Sequence, residues 1–414
     1  MMRRLLGPAA GLSAATALAY AIGALNLVLM ARLAGQESVG VYTTFLAYAA
    51  LCASINLGAF EVSLPIVAGA DLAPYTSAML ALLLPVSLLL WAVAALLGYP
   101  LATALALYTA ALALLRTSEY LATRSEHFGQ LALARVLPQL AVLLALLIGF
   151  RGLDDGATLV WLTTGAYVLS ALLLLRMTVL RPGLLCRELR RGRGLLSARR
   201  ANLSHFAPSS LLNAGAYNLP LILLEATFGP ALAAQYGVVL RFCFAPLNVL
   251  GSALTRVYHG RAATLVRDGK GGLGAALRET RARLLLLGLG AGVAIALLLP
   301  ALVPWLLGPG WELSGTIMRI YSPLFAVMLV VAPLSVTYFV LDRHRAVLLA
   351  QSGYFLIALL SFGLAGLLQR PLLGVWLFAL LSVLRYLIML HDMTRQADAA
   401  DARLAARPPA VAGA

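Results

Sequence analysis

Charge of one sign is what this chain has least of. It carries 16 Asp and Glu against 31 Lys and Arg, and only 11% of its 414 residues are charged. With 62% apolar residues and a mean hydropathy of +0.91, it cannot be a soluble globule of this length. Histidine and cysteine are equally sparse. The five histidines are isolated, no His/Cys/Asp cluster has metal-ligand spacing, and no glycine-rich phosphate loop is present, which argues against metal chemistry and nucleotide hydrolysis. Cys52, Cys186 and Cys243 are scattered, so no disulfide framework is implied. Long polar loops are missing too. Connections such as Gly98-Tyr99-Pro100 and Gln369-Arg370 leave little room for a catalytic set, so the chain reads as a non-enzyme without a cofactor.

What is present is apolar sequence in helix-length runs. About 20 residues suffice to cross the hydrocarbon core, and about twelve such runs occur, near 10–34, 40–64, 76–97, 101–122, 130–150, 157–181, 206–228, 234–258, 280–304, 315–341, 347–368 and 371–392. The expected fold is therefore an all-α polytopic membrane protein. Its expected organisation is a six-helix lobe (1–181), a basic cytoplasmic linker (182–205), a second six-helix lobe (206–392) and a disordered cytoplasmic tail (393–414). The Met-Met-Arg-Arg start resembles a secretory signal, but its apolar run continues to about Leu33, too long for a cleaved segment.

One hairpin is written twice, 194 positions apart. In ARLAGQESVGVY an apolar helix ends at Arg32, a turn runs from Gly35 and the next helix opens near Tyr42. In EATFGPALAAQY the same events fall at Glu225, Gly229 and Tyr236. Related membrane halves that rock about a common site are how many carriers achieve alternating access, so the repeat favours a transporter.

Arginine distribution sets the orientation, because positive charge is retained in short cytoplasmic loops. Segments on the amino-terminal side hold eighteen Lys or Arg, and the opposite loops hold only Arg151 and Arg370. Both termini are thus expected in the cytoplasm, in a cytoplasmic (inner) membrane. The stretch Arg187–Arg200 reads as an interfacial helix facing anionic lipid, or as a solvated charge run. No nucleic-acid recognition motif accompanies the basic residues.

A charge at the centre of a membrane helix costs about 2.5 to 3.5 kcal/mol on insertion scales, so the polar residues inside spans carry the most information. Arg241, Asn248, Ser252 and Thr255 share one face of span 8, and Thr44, Tyr48, Cys52 and Asn56 form a milder stripe on span 2. Both stripes are expected to line one cavity. Arg32, Arg241 and Arg319 would present planar guanidinium forks suited to phosphate or pyrophosphate. For Arg32 and Arg319 the alternative is snorkelling from helix ends, and for Arg241 a structural pair with Glu225. Glu225, and less strongly Glu61, are candidates for proton or cation coupling, with a salt bridge as the rival reading of Glu225. Arg116 and Glu119, three apart, are expected to pair locally. Pro85, Pro220 and Pro246 each remove a backbone donor inside a span and are expected to kink it. With Asn213 and Asn218 before it, Pro220 marks span 7 as a candidate gate.

These residues carry a resemblance. ARLAGQESVGVYTTFLAYAALCASINLGAFEVSL, with Gly40-Val41-Tyr42 opening the second helix and Asn56-Leu57-Gly58 late in it, resembles the first hairpin of polysaccharide-biosynthesis membrane proteins. These are the O-antigen-type flippases of the multidrug/oligosaccharidyl-lipid/polysaccharide (MOP) exporter superfamily. YGVVLRFCFAPLNVLGSALTRVYHGR, with Tyr236, Arg241 and Pro246, is similar to that family's eighth helix. His259 stands where a proline often closes that helix, and the loop Pro65 to Tyr75 has no Lys or Arg. The resemblance implies about twelve helices in two pseudo-symmetric lobes, as in MATE and other MOP proteins. It further implies a cationic cavity and transfer of a polyprenyl-pyrophosphate-linked oligosaccharide to the outer leaflet. Expected partners are that lipid-linked oligosaccharide, membrane lipids and a polysaccharide polymerase machinery, with Na+ or H+ open as the coupling ion. A drug or cation antiporter of the same superfamily and a membrane glycosyl-transferring enzyme remain as alternatives.

Overall fold

The computed structural model describes residues 2–125, 127–148, 155–177, 189–199, 203–204, 207–269 and 271–405. Arg151, Cys186, Arg187 and the tail beyond 405 lie outside them. Nine helices among the described residues are long and apolar enough to cross a membrane, and the chain is a multi-pass membrane protein. Nine rather than twelve has a local explanation. The first of them, Ala14–Ile55, holds two expected spans, while the helices at 101–122 and 206–228 form where expected but are too polar to qualify.

By backbone contacts the chain divides into two compact units, Met1–Val238 and Val239–Ala414. The first contains α1 (Met2–Ile55), a 3-10 helix (Phe60–Ile66), α2 (Gly69–Ala81), α3 (Leu83–Leu96), α4 (Ala102–Arg124), α5 (Phe128–Leu147), α6 (Gly156–Met177), α7 (Leu189–Ala198) and α8 (Ala207–Phe228). Next comes α9 (Pro230–Val239), ending at the division. Helix α8 packs on α1, which is why compactness groups it with the first unit. The lobes 1–181 and 206–392 describe chain duplication rather than compactness, and they stand as an expectation.

The duplicated hairpin shows itself in the backbone. Two helices meet within α1 at a kink, where Gly35 takes a non-helical conformation (φ 74, ψ −177) at the position expected to turn. Gly229 breaks the chain at φ 89, 194 positions later. Positive φ costs glycine nothing and an L side chain about 1 kcal/mol or more. The paired tyrosines are both buried, Tyr42 and Tyr236. The hairpins also pack against each other. A Cβ on Gly40 would lie 1.9 Å from the Pro230 carbonyl oxygen, and one on Gly237 would lie 2.9 Å from the Thr43 side chain.

Of the prolines expected to kink their spans, Pro85 interrupts its helix. Helix α2 stops at Ala81, four residues before Pro85 and so the residue whose carbonyl lacks the proline's N–H, and α3 starts afresh at Leu83. Helix α8 continues through Pro220. The expected interfacial helix is α7, docked on α2: Arg191 pairs with Asp71 at 2.5 Å, and Gly192 lets the helix approach the Pro74 backbone. Leu195 and Leu196 pack into the Tyr75–Met79 core.

The second unit begins with a π-helical turn (Leu240–Phe244), followed by α10 (Ala245–Arg267), α11 (Leu273–Leu297), α12 (Leu299–Leu307), α13 (Glu312–Leu334), α14 (Val336–Val340), α15 (His344–Leu367) and α16 (Pro371–Ala405). The π turn lies just before Pro246, whose ring has no N–H to give an α-helical bond. Helix α13 is the centre of this unit, buried along most of its length and packed by α10, α11, α12 and α16. Aromatic edges fill the space around it, with Phe244 4.8 Å from Phe325 and Tyr321 5.8 Å from Phe378.

The tail differs from expectation. Helix α16 continues past Asp392 to Ala405, and its last turns clasp the start of α11. The Asp401 carboxylate accepts from the N–H groups of Leu273 (3.0 Å) and Gly274 (2.9 Å), and Asp398 pairs with Arg278 at 2.6 Å. These are the donors that a helix start leaves unsatisfied, so a carboxylate from a distant segment serves as the N-cap. Asp401→Ala should therefore destabilise the second unit by about 1 kcal/mol, a typical cap value. Thermal unfolding of the purified protein would read it, and an unchanged midpoint would rule out the cap.

Candidate functional site

In the first unit, the end of α1, the 3-10 helix and helices α4, α5 and α8 line a polar, half-open chamber of about 500 Å³. Its construction begins with the Asn56-Leu57-Gly58 motif. Gly58 and Ala59 both take positive φ (58° each), which stops α1 at Ile55 and turns the chain into the 3-10 helix. The span expected over 40–64 is therefore nine residues shorter at this end, and Glu61 lies beyond it. Helix α4 holds the turn from one side. The Asn56 amide donates to the Thr109 carbonyl (3.0 Å), Arg116 donates to the Ala53 carbonyl (2.8 Å), and Arg124 donates to the carbonyls of Leu64 (3.0 Å) and Val67.

The expected Arg116–Glu119 pair is not what forms. Glu119 instead pairs with Arg135 of α5 (Nε to Oε1, 3.3 Å), and Arg135 also donates to Thr16 (2.6 Å). Arg116 spends its donor on the open carbonyl end of α1, where a cation is favoured by the helix dipole. Glu61 is 7% exposed, and its Oε2 has no hydrogen-bond partner. Burial pushes its carboxyl above the ordinary glutamate range; a bond to its own backbone and the Arg116 charge pull the other way more weakly. Tyr120, Thr123, Ser54, Ser210 and Asn213 complete the wall.

A raised glutamate pKa means that the folded protein holds the proton more tightly than the unfolded chain. Stability is then highest below the unfolded glutamate pKa and falls as pH rises through the folded one. Glu61→Gln should flatten that decline, as read by unfolding midpoints from pH 4 to pH 8 in detergent. Parallel profiles for wild type and variant would show that Glu61 does not titrate in this range.

The other sequence-derived residues divide between the units. Tyr48 stacks on Tyr99 with centroids 5.3 Å apart, and the half-buried Glu225 lies within Coulomb range of both rings' hydroxyls. Arg32 is exposed on α1. Thr44 and Asn56 of the span 2 stripe are buried, at 3% and 1% exposure, inside the first unit. The span 8 stripe is different: Asn248 and Ser252 are exposed and Arg241 is half-buried on the π turn, so this face is uncovered within the second unit. Arg319 is exposed on α13, the helix whose buried Tyr321 packs edge-on against Phe244 of the π turn.

Neither Arg241 nor Arg319 makes an ion pair among the described residues. Arg385, an intramembrane arginine that sequence reasoning passed over, shows the contrast. It donates to the Ala350 carbonyl (3.0 Å) and lies between the rings of Tyr354 (4.6 Å) and Tyr386 (4.7 Å). One carbonyl and two ring faces meet its charge inside the protein, and its Nη1 is buried without a hydrogen-bond partner. The sequence signal for that role was the neighbouring Tyr386.

The described residues form an all-α membrane protein, and its likeness to solved structures gives it the fold of MOP-type transporters. Its backbone is similar to that of the lipid II flippase MurJ in an inward closed conformation (TM-score 0.73, 10% identity, 95% of this chain and 90% of that one). It is also similar to a multidrug resistance MATE family transporter of the MOP superfamily in its inward-facing conformation (0.68, 14%, 94% and 95%). A MOP superfamily transporter from Pyrococcus furiosus, described as having a binding pocket of reverse polarity, matches at 0.63 with 13% identity over 97% and 96%. No protein-family model and no curated protein matches the sequence.

Proposed function

We propose that the chain is a flippase for a polyprenyl-pyrophosphate-linked oligosaccharide. On this reading it moves that lipid from the inner to the outer leaflet of the cytoplasmic membrane, by alternating access, for synthesis of a surface polysaccharide such as O-antigen, capsule or exopolysaccharide. Both termini face the cytoplasm, and the polymerase machinery takes the product at the outer face. The observation that carries this reading is that two arginines of the second unit, Arg241 and Arg319, are left uncovered within it. Both are in apolar helices, both are at least partly exposed, and neither pairs with a carboxylate among the described residues. An unmatched guanidinium at membrane depth requires water or an anion, and a pyrophosphate meets its planar fork with paired oxygens. The likeness to MurJ, described as a lipid II flippase, supports a lipid-linked substrate.

The test is the lipid extract of a deletion strain, with surface polysaccharide measured alongside. Accumulated lipid-linked repeat units with lost surface glycan support the proposal, and sidedness labelling then separates a flippase from a polymerase. Unchanged glycolipids would overturn it. They would favour a second reading, a MATE-type drug or cation antiporter, for which the buried Glu61 carboxylate in its polar chamber is the specific supporting observation. In either reading H+ or Na+ is the candidate coupling ion, with Glu61 and Glu225 as the carboxylates to substitute.

A further inference from the structure

Helix α16 is 35 residues long, about 52 Å at 1.5 Å per residue, against a hydrocarbon core of about 30 Å. Asp392 falls about 32 Å from its start, so the turns that follow lie at the level of the lipid headgroups and beyond. On those turns the charges are segregated. Asp398 and Asp401 face α11 and are spent on Arg278 and the helix start. Arg395 and Arg403, eight residues apart on another face, instead line a pocket of about 300 Å³. Arg343 enters it from the α14–α15 turn, and Ala399 and Ala400 leave the space open.

The pocket has one carboxylate, Asp392, already engaged by the Tyr338 hydroxyl (2.8 Å) and the Gln396 amide (2.6 Å). The three arginines make no ion pair among the described residues. Arg343 is also the N-cap residue of the 24-residue α15, whose dipole adds positive potential at the same place. Three guanidiniums, a helix start and an open volume are an arrangement for a phosphate group.

We propose that this pocket binds a phosphate-bearing anion at the membrane surface, on the side to which the arginine distribution assigns the cytoplasm. The phosphate belongs either to an anionic lipid headgroup or to a soluble phosphate, since both present the same oxygens to the guanidiniums. The site is separate from the Arg241–Arg319 face and does not depend on the transported substrate.

The experiment uses the purified full chain in detergent, with lipid binding followed by native mass spectrometry and by unfolding midpoint. The probes are phosphatidylglycerol, phosphatidylcholine and inorganic phosphate. Wild type should bind phosphatidylglycerol in preference to phosphatidylcholine. The double variant Arg395→Gln/Arg403→Gln should weaken that binding about thirtyfold, at roughly fivefold per basic residue near a membrane surface. Arg343→Gln, on a different element, should weaken it about fivefold and decides the matter if the double variant does not fold. Competition by inorganic phosphate identifies a soluble source, and its failure to compete identifies the lipid. Equal phosphatidylglycerol affinity in wild type and variants, or no phosphate binding of either kind by wild type, would overturn the proposal.

Discussion

Arg241→Ala abolishes transport and leaves the amount of folded protein in the membrane unchanged, if the uncovered face of the second unit holds an anionic headgroup. A charge-assisted hydrogen bond removed without replacement costs about 1.5 to 3 kcal/mol, or about 10- to 150-fold in binding. Arg241→Lys retains the charge and loses the planar fork, so it should recover part of that loss and no more. The paired control is Arg385→Ala. That side chain is held by the Ala350 carbonyl and two tyrosine rings, so its removal should lower the yield of folded protein. Normal surface glycan in Arg241→Ala would refute the assignment. Loss of the folded protein in that variant would move Arg241 to the structural class of Arg385.

Gly40→Val is expected to have the largest effect on folding. The added Cβ would meet the Pro230 carbonyl oxygen at 1.9 Å, well inside contact distance, and the obstacle is backbone that cannot rotate away. The two hairpins must then separate where they cross, at a cost of about 3 kcal/mol, the upper part of the range for overpacking. Gly251→Ala supplies the comparison, because its Cβ would meet nothing within 4 Å on an ordinary helix. There the change should be neutral or stabilising by about 0.5 to 1 kcal/mol. Urea or thermal unfolding in detergent measures both; a Gly40→Val midpoint equal to wild type would show that the hairpin crossing is not tight.

The glycines also show how much of this fold could be read in advance. Gly35 and Gly229 could be paired from spacing alone, and each does take the positive φ that the repeat called for. The helical spans and the helix within Arg187–Arg200 follow from apolar periodicity and charge in the same way. Pairing between helices does not. Arg116 and Glu119 are close on one helix, but Arg116 finds the carbonyl end of α1 and Glu119 finds Arg135, partners 63 and 16 positions away. The extension of α16 was hidden by composition. Its Ala, Asp and Arg residues look like solvent-exposed tail, and only the start of α11 gives their carboxylates something to cap.

The polar stripes make the same point about the site. Regular spacing identified both, and spacing alone could not tell which one would be packed away. Asn56 faces Thr109 because α4 crosses the end of α1, whereas Asn248 faces outward because no helix of its own unit covers it. The chamber around Glu61 needed the stop at Gly58-Ala59, a backbone event that leaves little trace in hydropathy.

The clasp of Asp401 on Leu273 has a consequence for biogenesis. The two residues are 128 positions apart, so the ribosome makes the cap last. At 5–20 residues per second the interval is roughly 6 to 26 s. Throughout it the first turn of α11 depends on water for its N–H groups, while the membrane spans of α13, α15 and α16 are still being threaded. A translational pause in that window would prolong exposure of an unfinished helix start to quality-control proteases, and completion of the clasp would mark the second unit as assembled.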